Sequence, residues 1–405
     1  MANEFFAKDF ETKKKKIDVE GQEITDYLKI ISAEATDEQL FKGDMFAAEI
    51  FNSHITDFEK TKKVCDRLNI TDNPDSMVHV STFLYFDNMI YMTYYASNET
   101  DEENPEHIRA RLVYCPVDDV ENKTFLDIQA VGDECGGTKI DRVYDTILMK
   151  KDDKTLYILW TASADGNYYR LYRTFDIKTK TLGEVSVNKL KVGDVVNDFS
   201  ATGIVSAFSE NELGIKNMFS DIGIMQKISS REENGETYYY TGAYSGDLNF
   251  LVKSKDFETW EFVSQPDFPN LSQWENAVYV YNDKCYYFSR QTTATKYGFL
   301  TYYDLNEEKW AKPVLIEDCQ SRSDFLMYDG ELYLVFAPID REHIGLARVD
   351  TDNLENTSLV FIANMHSSCF YPFIQYTNDG KVGFSYTVNR KHIRLSKFDL
   401  RKYIL

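Results

Sequence analysis

Six times along the chain a short segment of aromatic and β-branched residues returns: YMTYYAS from residue 91, YILWTAS from 157, YYYTGAY from 238, YYFSRQT from 286, YLVFAPI from 333 and VGFSYTV from 382. Residues of this kind suit a pleated, half-buried surface. Each segment follows another apolar run and a polar turn, as in VSTFLYFDNMIYMTYYAS, NAVYVYNDKCYYFSRQT and DFLMYDGELYLVFAPI. Asp329-Gly330 and Asp379-Gly380 are pairs that reverse a chain between antiparallel strands. A third strand comes next in every unit (ARLVYCPVDD, YRLYRTFD, NFLVKSKD, YGFLTYYD, IGLARVD, IRLSKFD), and TFLDIQAV, WEFVS and SLVFIA supply a fourth in several.

Four-stranded antiparallel sheets that cannot cover both faces alone pack radially around an axis. The expected fold is therefore all-β, a six-bladed β-propeller over residues 76–405, with a five-bladed propeller as the main alternative. Separate sandwich domains would need Pro- or Gly-rich linkers between units, and none is evident. The last four units are evenly spaced, whereas residues 193–220 form an excursion between the second and third. Residues 1–75 form an N-terminal segment. Within it GQEITDYLKII, residues 21–31, is the expected strand that closes the last blade, and 45–68 the expected cap, a helix or a degenerate strand pair.

Composition narrows the partners. The chain has 405 residues with 66 acidic against 45 basic, a net charge of −21, which disfavours nonspecific nucleic acid and anionic membrane as partners. No stretch approaches the apolar length of a membrane span or a leader, so a cytoplasmic location is expected. Six widely spaced Cys without a CxxC read as buried thiols. Neither a phosphate-binding GxxxxGK[ST], a dinucleotide GxGxxG nor a GxSxG elbow is present, and no cofactor is implied. The six His give no compact metal signature, and no metal site is expected.

A propeller brings the starts of its innermost strands to one central mouth. In this sequence those starts carry His79, Asp145, Asp221, Glu275, Asp324 and Tyr371, in the fragments MVHVS, VYDTI, FSDIG, WENAV, RSDFL and FYPFI. Convergent carboxyl groups can split glycosidic bond cleavage between a proton donor and a base or nucleophile. The same acids can equally cap turns at strand starts. Trp274 and Asn276 flank Glu275, where an aromatic face and an amide would suit a sugar ring.

The fragments VYDTILMKKDDKTLYILWTAS and WENAVYVYNDKCYYFS resemble units of β-propeller glycoside hydrolases, the arabinanase/xylosidase-like, invertase-like and sialidase-like groups. SKDFETW, residues 254–260, is similar to the S-x-D-x-x-x-W segments at outer turns of such folds. The resemblance implies a glycosidase acting on a short oligosaccharide, with Glu275 as general acid, Asp145 as general base or nucleophile, and Asp221 orienting substrate or tuning Glu275. A sialidase-like site would instead need three Arg side chains around a sugar carboxylate and a Tyr–acid pair. Arg142, Arg290 and Arg322, with Tyr371, are the residues available for it. A noncatalytic propeller binding a glycan or a protein, and a lyase acting on anionic sugars, are the competing classes.

Overall fold

The computed structural model describes residues 68–69 and 75–400, except 121, 215–221, 225–226, 246–247, 269–272, 292–296, 318, 338–340, 342, 365–368, 378–379 and 399. Six sheets, antiparallel but for one strand pair in the third, follow one another along the chain as the blades of a six-bladed propeller. Blade 1 is the meander Met77–Phe86, Met89–Ser97, Arg109–Pro116 and Thr124–Ala130. Blade 2 comprises Arg142–Lys150, Thr155–Ala164 and Asn167–Asp176, with Thr181–Leu182 and Ser186–Val187 on its outer edge. Blade 4 runs from Gln273–Tyr281 through Lys284–Gln291 and Tyr297–Asp304 to Lys309–Trp310 and Val314–Glu317. Blade 5 is Gln320–Tyr328, Glu331–Ala337, His343–Val349 and Ser358–Asn364.

Blade 3 absorbs the excursion. Its inner edge is Gly223–Ile224 and Ser229–Glu233, both paired with Glu236–Ser245, followed by Leu248–Ser254 and Thr259–Ser264. Lys189–Val192 then joins Thr259–Ser264 in parallel and carries Val195–Asp198 outside it. A helix, Ala201–Glu210, covers this extension: Ser200 caps it by accepting from the Gly203 amide at 3.0 Å. Ile204, Ala207 and Phe208 then bury against Phe250 and its neighbours. The SKDFETW turn folds on its own side chains. Asp256 accepts from the amides of Glu258 and Thr259 at 2.8 and 2.9 Å, which releases Trp260 into the blade core, where it is fully buried.

Blade 6 consists of Cys369–Tyr376, Val382–Val388 and His392–Phe398, and its outer strand is Leu68–Asn69, paired with Leu395 and Arg394. The sheet is thus closed from a segment just before blade 1. Residues 21–31, expected in that part, lie outside the described residues, as do 45–67 of the expected cap. At the other end of the same junction Arg390 pairs with Glu103 at 3.0 Å and Lys391 with Asp101 at 3.0 Å, tying the hairpin of blade 6 to the loop of blade 1. Between neighbouring blades the core is largely aromatic and aliphatic: Trp160, Tyr91 and Phe175 pack between blades 1 and 2, and Phe288, Phe325 and Leu334 between blades 4 and 5. Cys115, Cys285 and Cys319 are buried and Cys135 is half-buried. No helix among the described residues is long and apolar enough to cross a membrane.

Candidate functional site

The innermost strand of a propeller blade enters at the central mouth, so its first residues decide what the mouth displays. In blades 1, 2, 4, 5 and 6 that strand loses register at its start, between His79 and Thr82, Tyr144 and Ile147, Gln273 and Asn276, Gln320 and Asp324, and Phe370 and Phe373. Extra residues in a strand bend it and re-aim side chains. The backbone turns left-handed in four of these bulges, at Val80 (φ 53°), Asp145 (49°), Ser321 (68°) and Tyr371 (53°). For a β-branched residue such as Val80 this is a strained conformation held by its surroundings. Its amide is anchored on Thr387 Oγ1 at 3.2 Å.

The bulges assemble one charged group. Arg290, at the end of the second strand of blade 4, forms a buried ion pair with Glu275 in the neighbouring strand and reaches the Tyr371 hydroxyl at 3.5 Å. Glu275 lies close enough to Tyr371 for its charge to raise the phenol's pKa. Arg322 lies with its guanidinium carbon 5.0 Å from the centre of the Tyr371 ring. Its Nη2 is paired with Asp145 and lies 3.7 Å from Glu275 Oε1. Asp145 in turn accepts from the Tyr244 hydroxyl at 3.0 Å, and its carbonyl accepts from Arg170 at 3.1 Å. A line of alternating charges therefore runs Arg170, Asp145, Arg322, Glu275, Arg290, ending on Tyr371.

Burial raises the pKa of Tyr371, and Glu275 adds to this while Arg290 and Arg322 oppose it. Burial also works against the charge on Arg290 and Arg322, but their carboxylate partners outweigh it and both pKa values rise. For Arg170 burial prevails and the pKa falls. His79 stands with its ring centre 4.5 Å from that of Tyr371. Burial and then Arg390, Arg322, Arg341 and Arg290 hold its pKa well below the usual histidine value, so the ring is neutral at physiological pH. Buried polar atoms here with no partner among the described residues include Arg322 Nε and Nη1, Arg390 Nε and His79 Nε2.

Of the residues expected at the mouth, His79, Asp145, Glu275, Tyr371, Arg290 and Arg322 come together. Asp221 lies outside the described residues, as does the side chain of Trp274. Asp324 is turned elsewhere: fully buried, it pairs with Lys227 at 3.0 Å and accepts from the Ile374 amide at 3.1 Å. Asn276 is buried too, its amide donating to Ala243 O at 3.3 Å and Asn249 Oδ1 at 2.7 Å, which makes it a tie between blades 3 and 4. Arg142 is exposed and donates to the Tyr168 hydroxyl at 3.1 Å, away from the Arg290–Arg322 pair. Among the described residues no three His, Cys, Asp or Glu side chains group as metal ligands do.

Several participants had no place in the sequence reading: Tyr95, Glu103, Arg170, Tyr244, Arg341 and Arg390. Glu103 accepts from the Tyr95 hydroxyl at 2.6 Å while paired with Arg390. Arg341 and Arg390 both face the Phe370 ring, at 5.1 and 5.3 Å. A signal for most of them existed. In an antiparallel blade the second strand ends at the mouth where the first begins, so residues closing second strands, or just beyond them, face the same opening. Tyr95, Tyr244, Arg290, Arg341 and Arg390 all occupy such positions.

No family model and no curated protein matches the chain. Solved structures do. The Hadza microbial sialidase Hz136 aligns with a TM-score of 0.59 at 12% identity, over 83% of this chain and 69% of that one. A Dyadobacter fermentans protein of unknown function aligns at 0.58 and 12%, over 82% and 97%. The Trypanosoma rangeli sialidase in complex with 2,3-difluorosialic acid aligns at 0.56 and 14%, over 82% of this chain but only 58% of that one, so the chain spans little more than half of that protein. At such identities the likeness is one of fold: a six-bladed propeller distantly similar to those of these sialidases.

Proposed function

We propose that the chain is a glycoside hydrolase for an acidic sugar, with Tyr371 as nucleophile, Glu275 as its base, and Arg322 and Arg290 as the cationic side of the pocket. The observation that carries this reading is the pair of unpartnered donors on Arg322. Its Nε and Nη1 are buried beside the Tyr371 ring, and a buried guanidinium with open donors is satisfied best by an anion. The acid and base roles first expected of Glu275 and Asp145 are reassigned here. Glu275 sits against two guanidinium groups, and a carboxyl meant to donate a proton needs surroundings that oppose its charge. Asp145 is committed to Arg322 and Tyr244, which makes it the group that orients Arg322.

The chemistry follows in two displacements. Tyr371 Oη attacks the anomeric carbon while Glu275 takes the phenolic proton, and the bond to the leaving oxygen breaks as that oxygen gains a proton. Water then attacks the same carbon, the tyrosyl ether bond breaks, and the proton held by Glu275 returns to Tyr371. Glu103, part-exposed beside Tyr95, is the carboxylate we assign to protonate the leaving oxygen and then activate the water. A tyrosine suits this step because a neutral attacker is not repelled by the acid group on the sugar. Burial around Tyr371 opposes the free phenolate, which confines its formation to the moment of attack.

The same donors would serve a glycan-binding propeller without turnover, and the raised pKa of Tyr371 is the feature that favours that second reading. The experiment that separates the two uses a fluorogenic sialic acid glycoside, its methyl ester and neutral hexosides. Wild-type turnover of the acidic glycoside, lost at least ~100-fold in Tyr371→Phe and Glu275→Gln, is the expected result. Binding without turnover selects the second reading. Turnover of neutral hexosides untouched by Arg322→Gln would remove the anionic substrate from the proposal.

A further inference from the structure

His79 has an unexplained nitrogen. Its Nδ1 is 3.2 Å from Thr387 Oγ1, while Nε2, at the far side of the ring, is buried and has no partner among the described residues. The imidazole is fixed on several sides: edge-on to Tyr371 at 4.5 Å, to Tyr95 at 5.6 Å and to Phe370 at 5.7 Å. Its backbone lies beside the left-handed Val80, whose amide uses the same Thr387 oxygen. Such a ring cannot turn to find another partner without dismantling the contact between blades 1 and 6. A buried polar atom left open in this way costs stability, and a bound group that pairs it would recover that cost.

We propose that His79 is the specificity-determining residue on the blade 1 side of the pocket, donating a hydrogen bond from Nε2–H to an acceptor oxygen of the bound sugar beside its acidic group. This deepens the reading of the site proposed above and rests on it. The tautomer rests on Thr387. Its hydroxyl oxygen accepts from the Val80 amide and keeps its own proton, and in this proposal that proton is donated to Nδ1, with the imidazole proton on Nε2. The neutral state of the ring agrees with a donor that carries no charge of its own. The pocket would then be asymmetric. Guanidinium groups from blades 4 and 5 hold the anion, while blade 1 reads a hydroxyl or carbonyl oxygen, and a ligand lacking that oxygen leaves Nε2 unpaired. Pairing a buried donor is among the sharper ways a site rejects an analogue.

The test measures binding of the sialic acid glycoside to the full chain, in the Tyr371→Phe background so that nothing turns over, together with ¹⁵N resonances of the His79 ring. The expected result is a protonated Nε2 in the free protein, shifted on binding. A roughly tenfold loss of affinity in His79→Phe and less than about threefold in His79→Gln, which keeps an uncharged donor, should accompany it. A deoxy analogue that binds more weakly to His79-bearing protein but equally to His79→Phe identifies the oxygen. Affinity that depends on Arg322 but not on His79 overturns the proposal and leaves the site reading standing. If the acidic probe does not bind, the site reading fails, and His79 is judged by neutral glycosides alone. No shift of Nε2 with any of them overturns the proposal as well, and so does a ring protonated on Nδ1. Should His79→Phe not fold, the ring resonances of the histidine-bearing protein decide.

Discussion

Lys227 donates to Asp324 over 3.0 Å, and both are buried. The lysine stems from blade 3 and the aspartate from blade 5. Nζ also donates to the carbonyls of Phe325 and Ile374, the latter at 2.6 Å in blade 6. Blades 3 and 6 face each other across a six-bladed ring, so this ammonium lies on the propeller axis. Its three acceptors match its three protons. Below it a cavity of about 330 Å³ opens at the far mouth, walled by Leu84, Leu148, Ile228, Val280 and Phe373. Lys227 therefore separates that cavity from the Arg322–Tyr371 site.

Replacing Lys227 by Met should destabilise the protein by about 3–5 kcal/mol, because Asp324 and two carbonyls would stay buried without their cation. Adding Asp324→Leu to the same chain should recover a large part of the loss. Urea unfolding of the single and double variants measures both. A single variant as stable as wild type would contradict the axial role.

Asn276→Ala should lower stability by about 1–3 kcal/mol and leave sugar binding unchanged, since the amide is used on Ala243 and Asn249 rather than in the pocket. Gly242→Ala should have a comparable cost through the same residue: a Cβ at Gly242 would collide with the Asn276 side chain. Calorimetric midpoints, set beside affinity for the acidic glycoside, distinguish this from a role in binding.

His79 makes stability depend on pH. Its pKa is depressed in the folded protein, so below pH 6.5 the unfolded chain binds a proton that the folded one refuses. Stability is complete above that pH and declines as pH falls toward the folded value, by up to about 1.4 kcal/mol per pH unit. The charged groups facing the ring are Arg390, Arg322, Arg341 and Arg290. His79→Gln should therefore lose less stability than wild type between pH 7 and 5, measured as the difference of two unfolding curves at each pH.

The blades were legible because their signals are local. Asp329 and Gly330, read as a turn pair, both adopt the left-handed backbone that a tight hairpin requires. The unbroken apolar run that opens YLVFAPI reports a strand buried on both faces. The mouth was legible only as a set of positions. What the sequence hides is which residue a bulge turns inward. RSDFL offers both Arg322 and Asp324, and the register shift between Gln320 and Asp324 sends the arginine to Tyr371 and the aspartate to Lys227. Two partners of Asp145 were hidden for another reason: Arg170 reaches it from the third strand of the same blade and Tyr244 from the neighbouring blade, long-range meetings that no local pattern around Asp145 encodes.

The pairing of Leu68–Asn69 with Leu395 and Arg394 has a consequence for how the molecule is made. During synthesis the earlier blades emerge as an open arc whose first edge waits for a partner more than three hundred positions downstream. Only when His392–Phe398 leaves the ribosome can the arc close, bringing Tyr371 beside His79 across the seam. The pocket thus waits for the sixth blade, and a chain arrested just before His392 would carry every acid and arginine of the site without a finished wall to hold them.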